Sequence, residues 1–503
     1  MGGYLLGYDV GSSSIKATLL SIDSGSSVTA ATSPQRELEI QSPRPGWAEQ
    51  DPEVWWRHLE IATAQLASAG AELADVEAIG ISYQMHGLVC VDQSGRLLRP
   101  AIIWCDSRAV QIGERAFADL GAERCLEPLL NSPGNFTASK LAWVRENEPK
   151  IFDKIDRILL PGDYIAYRLT GTLNTTPSGL SEGILWNFSE EQVATFLLEY
   201  YGIPQSMIPA TVANFALQGE VTREAADRLG LRAGIPVSYR GGDQPNNALS
   251  LNVLHPGQIA ATAGTSGVVY GVGDRAVYDT ASRVNTFVHV NHRQTAPRYG
   301  TLLCVNGTGI LNSWLKHNLV AGQGSGATAE ISYEGMNDLA ASAPIGAEGL
   351  VVLPYGNGAE RTLDNRNPGA SIRGLDLNRH TRAHLLRAAQ EGIVFALKYG
   401  LQIMEGMDLR IELVRAGAAN MFLSPLFAQA FATVSAAVVE LYDTDGSQGA
   451  ARGAGIGAGF YDMESAFTGL KRVRVLEPNP KSAGAYREAY RSWLAQLRRE
   501  LTG

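Results

Sequence analysis

Two runs of strand-forming residues, Leu5-Leu-Gly-Tyr-Asp-Val10 and Ile15-Lys-Ala-Thr-Leu-Leu20, flank the small polar stretch Gly11-Ser-Ser-Ser14. No other part of the chain limits the fold as tightly. The pattern predicts an antiparallel hairpin with residues 11–14 at its tip. A tip without bulky side chains lets main-chain N–H groups and the hydroxyls of Ser12, Ser13 and Ser14 approach a polyanion, while Lys16 supplies positive charge on the strand behind. Asp9 faces the same space. Like charges repel, so its expected role is to hold a divalent cation, directly or through water. An edge hairpin with an ordinary turn is the alternative reading of the same residues.

At 503 residues the chain is longer than a single core usually supports, and two large domains are expected. The 54 glycines exceed typical usage without any collagen-like period, which points to tight turns and close backbone approaches. Net charge is −9, from 42 basic and 51 acidic residues, and no basic block occurs. Neither nucleic acid nor a membrane is therefore an expected partner. Cys90, Cys105, Cys125 and Cys304 have neither the density of a disulfide framework nor zinc spacing. With no basic leader before the first strand and no uninterrupted apolar span, a cytoplasmic, soluble protein with reduced thiols is expected.

Along the chain, Asp51 and Pro52 open a helical pattern that runs to Leu66. A strand over 78–82 leads into Gln84-Met-His-Gly87. Strands over 88–91 and 102–104 are expected to pair across the turn Asp92-Gln-Ser-Gly95. Residues 107–221 read as a mainly helical elaboration. A strand near 236–239 then delivers Arg240-Gly-Gly-Asp-Gln-Pro-Asn-Asn247, where the two glycines permit a sharp change from strand to helix and Asp243 opens the helix. Gln258 to Ala263, Gly264-Thr-Ser-Gly267 and Val268 to Tyr270 form a second small-tipped hairpin, which suggests two related halves with facing loops. A glycine-containing strand end recurs at Arg415-Ala-Gly-Ala-Ala-Asn420. Residues 446–460 read as a small-residue helix near the cleft, and a strand and a charged amphipathic helix follow Arg472.

Two such hairpins can cradle a nucleotide's phosphates from opposite domains, with the late strand end receiving base and ribose. Phosphoryl transfer then needs a base near the acceptor hydroxyl and a cation near the transferred group. Asp243 is the candidate base and Asp9 with Mg2+ the candidate electrostatic partner. Each residue also has a plain structural use. Asp243 is a preferred cap type, Met85 and His86 suit a core, and Gly417 with Ala418 suits close strand–helix packing. Trp104, Asp106 and Arg108 share one face if their segment is extended, or lie in a loop beyond the strand. The Gly-Lys-Ser/Thr phosphate loop and the dinucleotide glycine pattern are both missing.

The ordered set Asp9-Val-Gly-Ser-Ser-Ser-Ile-Lys16, Gly46-Trp-Ala-Glu-Gln-Asp-Pro-Glu-Val-Trp-Trp56, Gln84-Met-His-Gly87, Trp104-Cys-Asp-Ser-Arg108, Leu160-Pro-Gly-Asp-Tyr164, Arg168-Leu-Thr-Gly171 and Gly264-Thr-Ser-Gly267 resembles the FGGY carbohydrate kinases over nearly the full length, the xylulokinases most of all. The resemblance implies two actin-like (ribonuclease-H-like) α/β domains closing on sugar and ATP. Residues 1–248 would be mainly sugar-binding and 249–503 mainly nucleotide-binding. It implies ATP-dependent phosphorylation of D-xylulose, with Asp243 as the essential base and Asp9 near Mg2+ and phosphate, Asp243 also reaching the metal through water. Sugar contacts would come from Met85, His86, Trp104, Asp106, Arg108, Asp243 and Gln244. Nucleotide contacts would come from Ser12, Ser13, Ser14, Lys16, Gly264, Thr265, Ser266, Gly417, Ala418 and Asn420. A homodimer is a further expectation from the family. Two positions depart from its pattern. Gln244 replaces a common asparagine, and its extra methylene moves the amide beyond hydrogen-bond tolerance unless backbone or substrate shifts. Ala418 replaces the second glycine of the adenine motif. Rival readings are a kinase for ribulose, a deoxyketose, erythritol or glycerol, a non-catalytic sugar- or nucleotide-binding protein, and a filament-forming actin relative.

Overall fold

The computed structural model describes residues 2–320, 331–363, 366 and 368–502. The first sheet contains β1 (Tyr4–Val10), β2 (Ile15–Ser21), β3 (Ser27–Ser33), β4 (Val76–Tyr83) and β5 (Val237–Gly242), in the order β5-β4-β1-β2-β3. The first hairpin forms as expected, its tip closed by the Gly11 N–H donating to the Ser14 carbonyl at 3.0 Å. β4 and β5 run parallel to β1, so the three strands end along one edge of the sheet. Strands covered on both faces need continuous apolar sequence, and Leu5, Leu6, Tyr8 and Val10 are all buried.

The second sheet contains β6 (Gln258–Ala263), β7 (Gly267–Gly273), β8 (Asn285–Val288), β9 (Tyr299–Val305), β10 (Leu413–Gly417), β11 (Val438–Asp443) and β12 (Lys471–Leu476). Their order is β8-β9-β7-β6-β10-β11-β12, with β10 parallel to β6 and β11 parallel to β10. The run β11-β10-β6-β7-β9 repeats the arrangement β5-β4-β1-β2-β3. Each half therefore has a small-tipped hairpin followed by two strands parallel to its first strand. The duplication suggested by the two tips extends through both sheets.

Helix α1 (Pro52–Ser68) starts as its sequence predicts, with the Asp51 carboxylate accepting from the Glu53 N–H at 3.0 Å. It buries Trp55, Trp56, Leu59 and Leu66 and lies on β2 and β3. Helix α2 (Asp243–Ser250) follows β5, and α3 (Arg382–Gly406) backs the second sheet. Helix α4 (Gly446–Gly457) follows β11 but packs on β1, β4 and β5 of the first sheet. A Cβ on Gly7 would lie 1.9 Å from the Ser447 carbonyl oxygen, and one on Gly80 would lie 2.0 Å from that of Ala450. This close approach explains a glycine-rich helix whose intrinsic propensity is poor.

One local expectation needs correction. Val89–Val91 does not form a hairpin with the strand near residue 102. It pairs with Arg157–Leu159, while Ala101–Ile102 pairs with Glu49–Gln50 and only Leu88 bridges to Ile102. The Asp92–Gly95 turn does form, but the helical elaboration supplies better-placed strand partners than the turn does. The sharp change from strand to helix at Gly241-Gly242 forms as expected, with β5 ending at Gly242 and α2 opening at Asp243, and it needs no left-handed backbone, for Gly242 has φ −57°. A Cβ on Gly242 would lie 2.3 Å from Glu182 Oε2 and 2.7 Å from Met85 Cγ, so the requirement is space.

No helix among the described residues is long and apolar enough to cross a membrane. Gly80→Val is expected to destabilise the protein by at least the ~1–3 kcal/mol of an overpacked core. Denaturant unfolding should show a lower midpoint, and an unchanged midpoint would contradict the contact between α4 and the first sheet.

Candidate active site

The aligned ends of β1, β4 and β5 bring one row of residues together. Asp9 lies across from Lys16 on β2 and beside Ser82 on β4, and Ser82 lies beside Gly241 on β5. The Ser82 hydroxyl donates to Asp9 Oδ1 at 2.8 Å. Lys16 reaches across to the second half and pairs with Asp445. Asp445 caps α4 by accepting from the Gln448 N–H at 3.0 Å and the Ser447 hydroxyl at 2.7 Å. Burial opposes its charge, but Lys16 and these donors hold its pKa below the ordinary value.

Asp9 shows the reverse balance. Burial raises its pKa, Ser82 and Lys16 oppose the rise, and the Asp445 charge adds to it. Asp243 opens α2 just beyond this row. Burial first and then the Asp9 charge push it up to about 7, against hydrogen bonds from Gln244. A carboxylate at that value is suited to general-base work near neutral pH.

Gln84 to Gly87 follow β4 directly. His86 adopts φ 62°, and its Nδ1 lies 2.8 Å from the Glu182 carbonyl oxygen. That oxygen can only accept, so Nδ1 carries the proton and Nε2 is left as an acceptor. Burial first, then the Lys140 charge, lowers the imidazole to about 3. His86 is therefore neutral at physiological pH. Phe136 meets its ring edge-on at 4.8 Å, and Lys140 Nζ donates to the carbonyls of His86 and Ile103 at 2.8 and 2.9 Å. Met85 is buried against Gly242.

Trp104, Asp106 and Arg108 do not present one face, because the strand ends at Ile102. Trp104 is 40% exposed and its Nε1 donates to the Ser12 hydroxyl at 3.2 Å, joining this segment to the first hairpin tip. Asp106 and Arg108 form a buried pair with two short contacts, Nε to Oδ1 at 3.0 Å and Nη2 to Oδ2 at 2.7 Å. Arg108 also pairs with Glu49 at 2.7 Å and stacks 3.8 Å from the Trp47 ring centre. This arrangement occupies the guanidinium with protein partners and makes the pair a support beneath the cleft wall.

On the opposite side, Thr308 clamps the second tip. Its hydroxyl donates to the Gly264 carbonyl at 2.9 Å, and the Gly309 N–H donates to the same oxygen at 2.8 Å. A Cβ on Gly264 would lie 3.4 Å from Asn420 Nδ2, so the second tip and the end of β10 adjoin. The Ala418 N–H donates to the Tyr442 carbonyl at 2.8 Å. A Cβ on Gly417 would come no nearer than 3.7 Å to the described atoms, which leaves that surface open. Between the halves lies a cavity of about 730 Å3, lined by His86, Trp104 and Asp106 from the first half and Thr265, Ser266 and Asn306 from the second.

Among the described residues no three His, Cys, Asp or Glu side chains gather to hold a metal ion. Mg2+ commonly takes one or two carboxylates with water and substrate phosphates, so no complete protein cage is needed. Asp9 and Asp243 fit that pattern, because both are half-buried carboxylates close enough for the charge of Asp9 to raise Asp243.

Sequence reasoning missed Lys140, Glu182, Thr308 and Asp445. The Gly-Thr-Gly run at 307–309, following a strand, was a readable signal for Thr308. Lys140→Met should leave the His86 and Ile103 carbonyls unsatisfied and loosen both loops. Initial-rate kinetics are expected to show the sugar KM raised about tenfold, equivalent to ~1.4 kcal/mol, with the ATP KM unchanged. Equal effects on both substrates would contradict this local role.

The chain matches the FGGY family of carbohydrate kinases, N-terminal domain, over residues 4–250 and the C-terminal domain of that family over 259–460. It is 31% identical to the xylulose kinase of Staphylococcus epidermidis, over 97% of this chain and 95% of that one. The fold is similar to that of a xyloylose kinase from Brucella ovis, at 27% identity and TM-score 0.87, covering 98% of each chain. Similarity of fold extends to a gluconate kinase from Lactobacillus acidophilus, at 21% identity and TM-score 0.87, covering 99% and 98%. Two domain matches spanning most of the sequence, on two repeated α/β sheets, show that the chain belongs to the FGGY family and is an ATP-dependent carbohydrate kinase.

Proposed function

We propose that this kinase transfers the γ-phosphoryl group of ATP to the terminal primary hydroxyl of D-xylulose, giving D-xylulose 5-phosphate and ADP. The observation that carries the proposal is the half-buried Asp243, its pKa pushed up to about 7, opening the helix beside Met85 and the neutral His86. The similarity to xylulose kinases supports this choice of acceptor.

In this reading residues 1–248 hold mainly the sugar and 249–503 mainly the nucleotide. Met85 shapes the sugar side, His86 Nε2 accepts a sugar hydroxyl, Gln244 contacts the sugar beside the base, and Trp104 lines the entrance. Ser12, Ser13, Ser14 and Lys16 meet Gly264, Thr265 and Ser266 across the phosphates. Gly417, Ala418 and Asn420 receive the adenosine. Asp243 takes the proton of the acceptor hydroxyl as its oxygen attacks Pγ, the bond from Pγ to the bridging β,γ oxygen breaks, and ADP departs. Asp9, with Asp243 through water, would hold Mg2+, which supplies charge neutralisation at the phosphates.

With ATP and Mg2+, ADP release across D-xylulose, L-xylulose, D-ribulose, L-ribulose, glycerol and erythritol should be fastest with D-xylulose. A different best acceptor would move the assignment to that ketose or polyol, with Gln244 the first position to examine. Asp243→Asn is expected to lower kcat by ~10²–10⁴-fold, and full turnover would remove it as base. The base works ionised, so kcat/KM should fall as pH drops below about 7 and level off above it. A flat profile between about pH 5.5 and 8 would contradict the role.

A further inference from the structure

The segment 131–136 of the first half is fastened to the second half at two points. At one end the Asn131 side chain donates to the Thr286 carbonyl on β8 at 2.7 Å and accepts from the Thr286 N–H at 3.0 Å. At the other, Arg361 reaches across from the second half. Its Nη1 donates to the Ser132 hydroxyl at 2.7 Å, and its guanidinium carbon lies 4.7 Å from the centre of the Phe136 ring. Gly134 has φ 45°, and a Cβ there would lie 1.6 Å from Arg361 Nη2. The guanidinium therefore fills the place where any other residue at 134 would carry its side chain.

What this segment supports is the wall around His86. Phe136 is buried, and its ring meets that of His86 edge-on. The helix Thr137–Asn147 starts at the next residue and carries Lys140, which donates to the His86 carbonyl. At its first turn the Thr137 hydroxyl donates to the Gly87 carbonyl at 3.3 Å. Arg361 sits on the short turn Glu360–Leu363, and the loop before it is tied to the end of β9 by the Asn306 N–H donating to the Gly358 carbonyl at 3.1 Å. It lines the cavity between the halves together with His86, Thr265 and Ser266. A charged hydrogen bond and a cation over an aromatic face both gain strength away from bulk water, so a partly covered guanidinium is a firm link between two bodies.

Building on the sugar-kinase reading above, in which His86 meets the acceptor, we propose that Arg361 is a positioning residue for the sugar site, supplied by the opposite half. It holds residues 132–136 so that Phe136 backs the His86 ring and the helix carrying Lys140 is set against the same loop. The second half thus completes a pocket whose acceptor contacts come from the first, and glycine at 134 keeps the space the guanidinium needs.

The test measures kcat and both KM values for wild-type, Arg361→Met, Ser132→Ala and the double variant. Substrates are ATP with the best acceptor from the panel and its single-position deoxy analogues. Arg361→Met should raise the KM about tenfold, ~1.4 kcal/mol, for the acceptor and every deoxy analogue alike, with the ATP KM unchanged although the residue belongs to the second half. Ser132→Ala should give a smaller rise, and the double variant should be no worse than Arg361→Met, because the two changes remove a shared contact. A loss confined to one deoxy analogue would mark a direct contact with a sugar hydroxyl and overturn the positioning role. Equal rises in both KM values, additive effects in the double variant, or no effect would overturn it as well. If Arg361→Met does not fold, Ser132→Ala decides by the same comparison of the two KM values. His86→Asn, which tolerates the left-handed backbone, separates this proposal from the reading it rests on. An unchanged acceptor KM in that variant would overturn the sugar-site role of His86 and this proposal with it, whereas a rise there with none in Arg361→Met would overturn this proposal alone. A best acceptor other than D-xylulose would overturn only the xylulose assignment, because the comparison can be run on whichever acceptor is best.

Discussion

The packing of α2 against α4 is the contact on which the site depends. A Cβ on Gly449 would lie 2.7 Å from Ser250 Cβ, and the Asn246 side chain donates to the Gly446 carbonyl at 2.8 Å. Only small residues allow two helices so close, and the same restriction produces Gly7 and Gly80 on the sheet beneath α4. Each helix follows the third parallel strand of its own half, and α4 then lies on the other half's sheet. Asp243 opens one helix and Asp445 caps the other. Once the helices pack, these acids and Asp9 must share a small volume.

That volume holds more negative charge than its one lysine can balance. Asp445 is kept ionised by Lys16 and by the capping donors at the start of α4, where a carboxylate is favoured. At Asp9 the Ser82 hydroxyl and Lys16 only partly offset burial, Asp243 has hydrogen bonds from Gln244 alone, and burial raises both. An imbalance that would destabilise an ordinary interior is characteristic of a functional site, and it is what the proposed transfer requires. Lys16 has its partner Asp445 across the cleft, so it ties the first hairpin to the second half.

The cleft wall around His86 depends on loops held by distant main-chain contacts. His86 keeps a left-handed backbone because Glu182 fixes its ring and Lys140 fixes its carbonyl. Lys140 also holds Ile103, so the loop after β4 and the segment leading to Trp104 share one buried ammonium. Asp106 and Arg108 support that segment from below, and the Trp47 and Trp143 rings face the guanidinium at 3.8 and 4.8 Å. The chemistry at the surface of the cleft thus rests on paired charges and aromatic packing underneath it.

Local pattern was enough to read the two hairpins, the Asp51 cap, the strand ends at Asp243 and Gly417 and the ordered motifs of a sugar kinase, since each is encoded by a few neighbouring residues. Partners distant in sequence were not readable that way. Val89–Val91 found Arg157–Leu159, Lys16 found Asp445, and Lys140 found two loops. Sequence by itself determined the repeated strand–hairpin units and the residue types available for phosphate and proton chemistry, because these follow from local periodicity and side-chain chemistry. Only the tertiary structure decided which acids are neighbours and which charges are already paired, because those depend on distances between elements far apart in the chain.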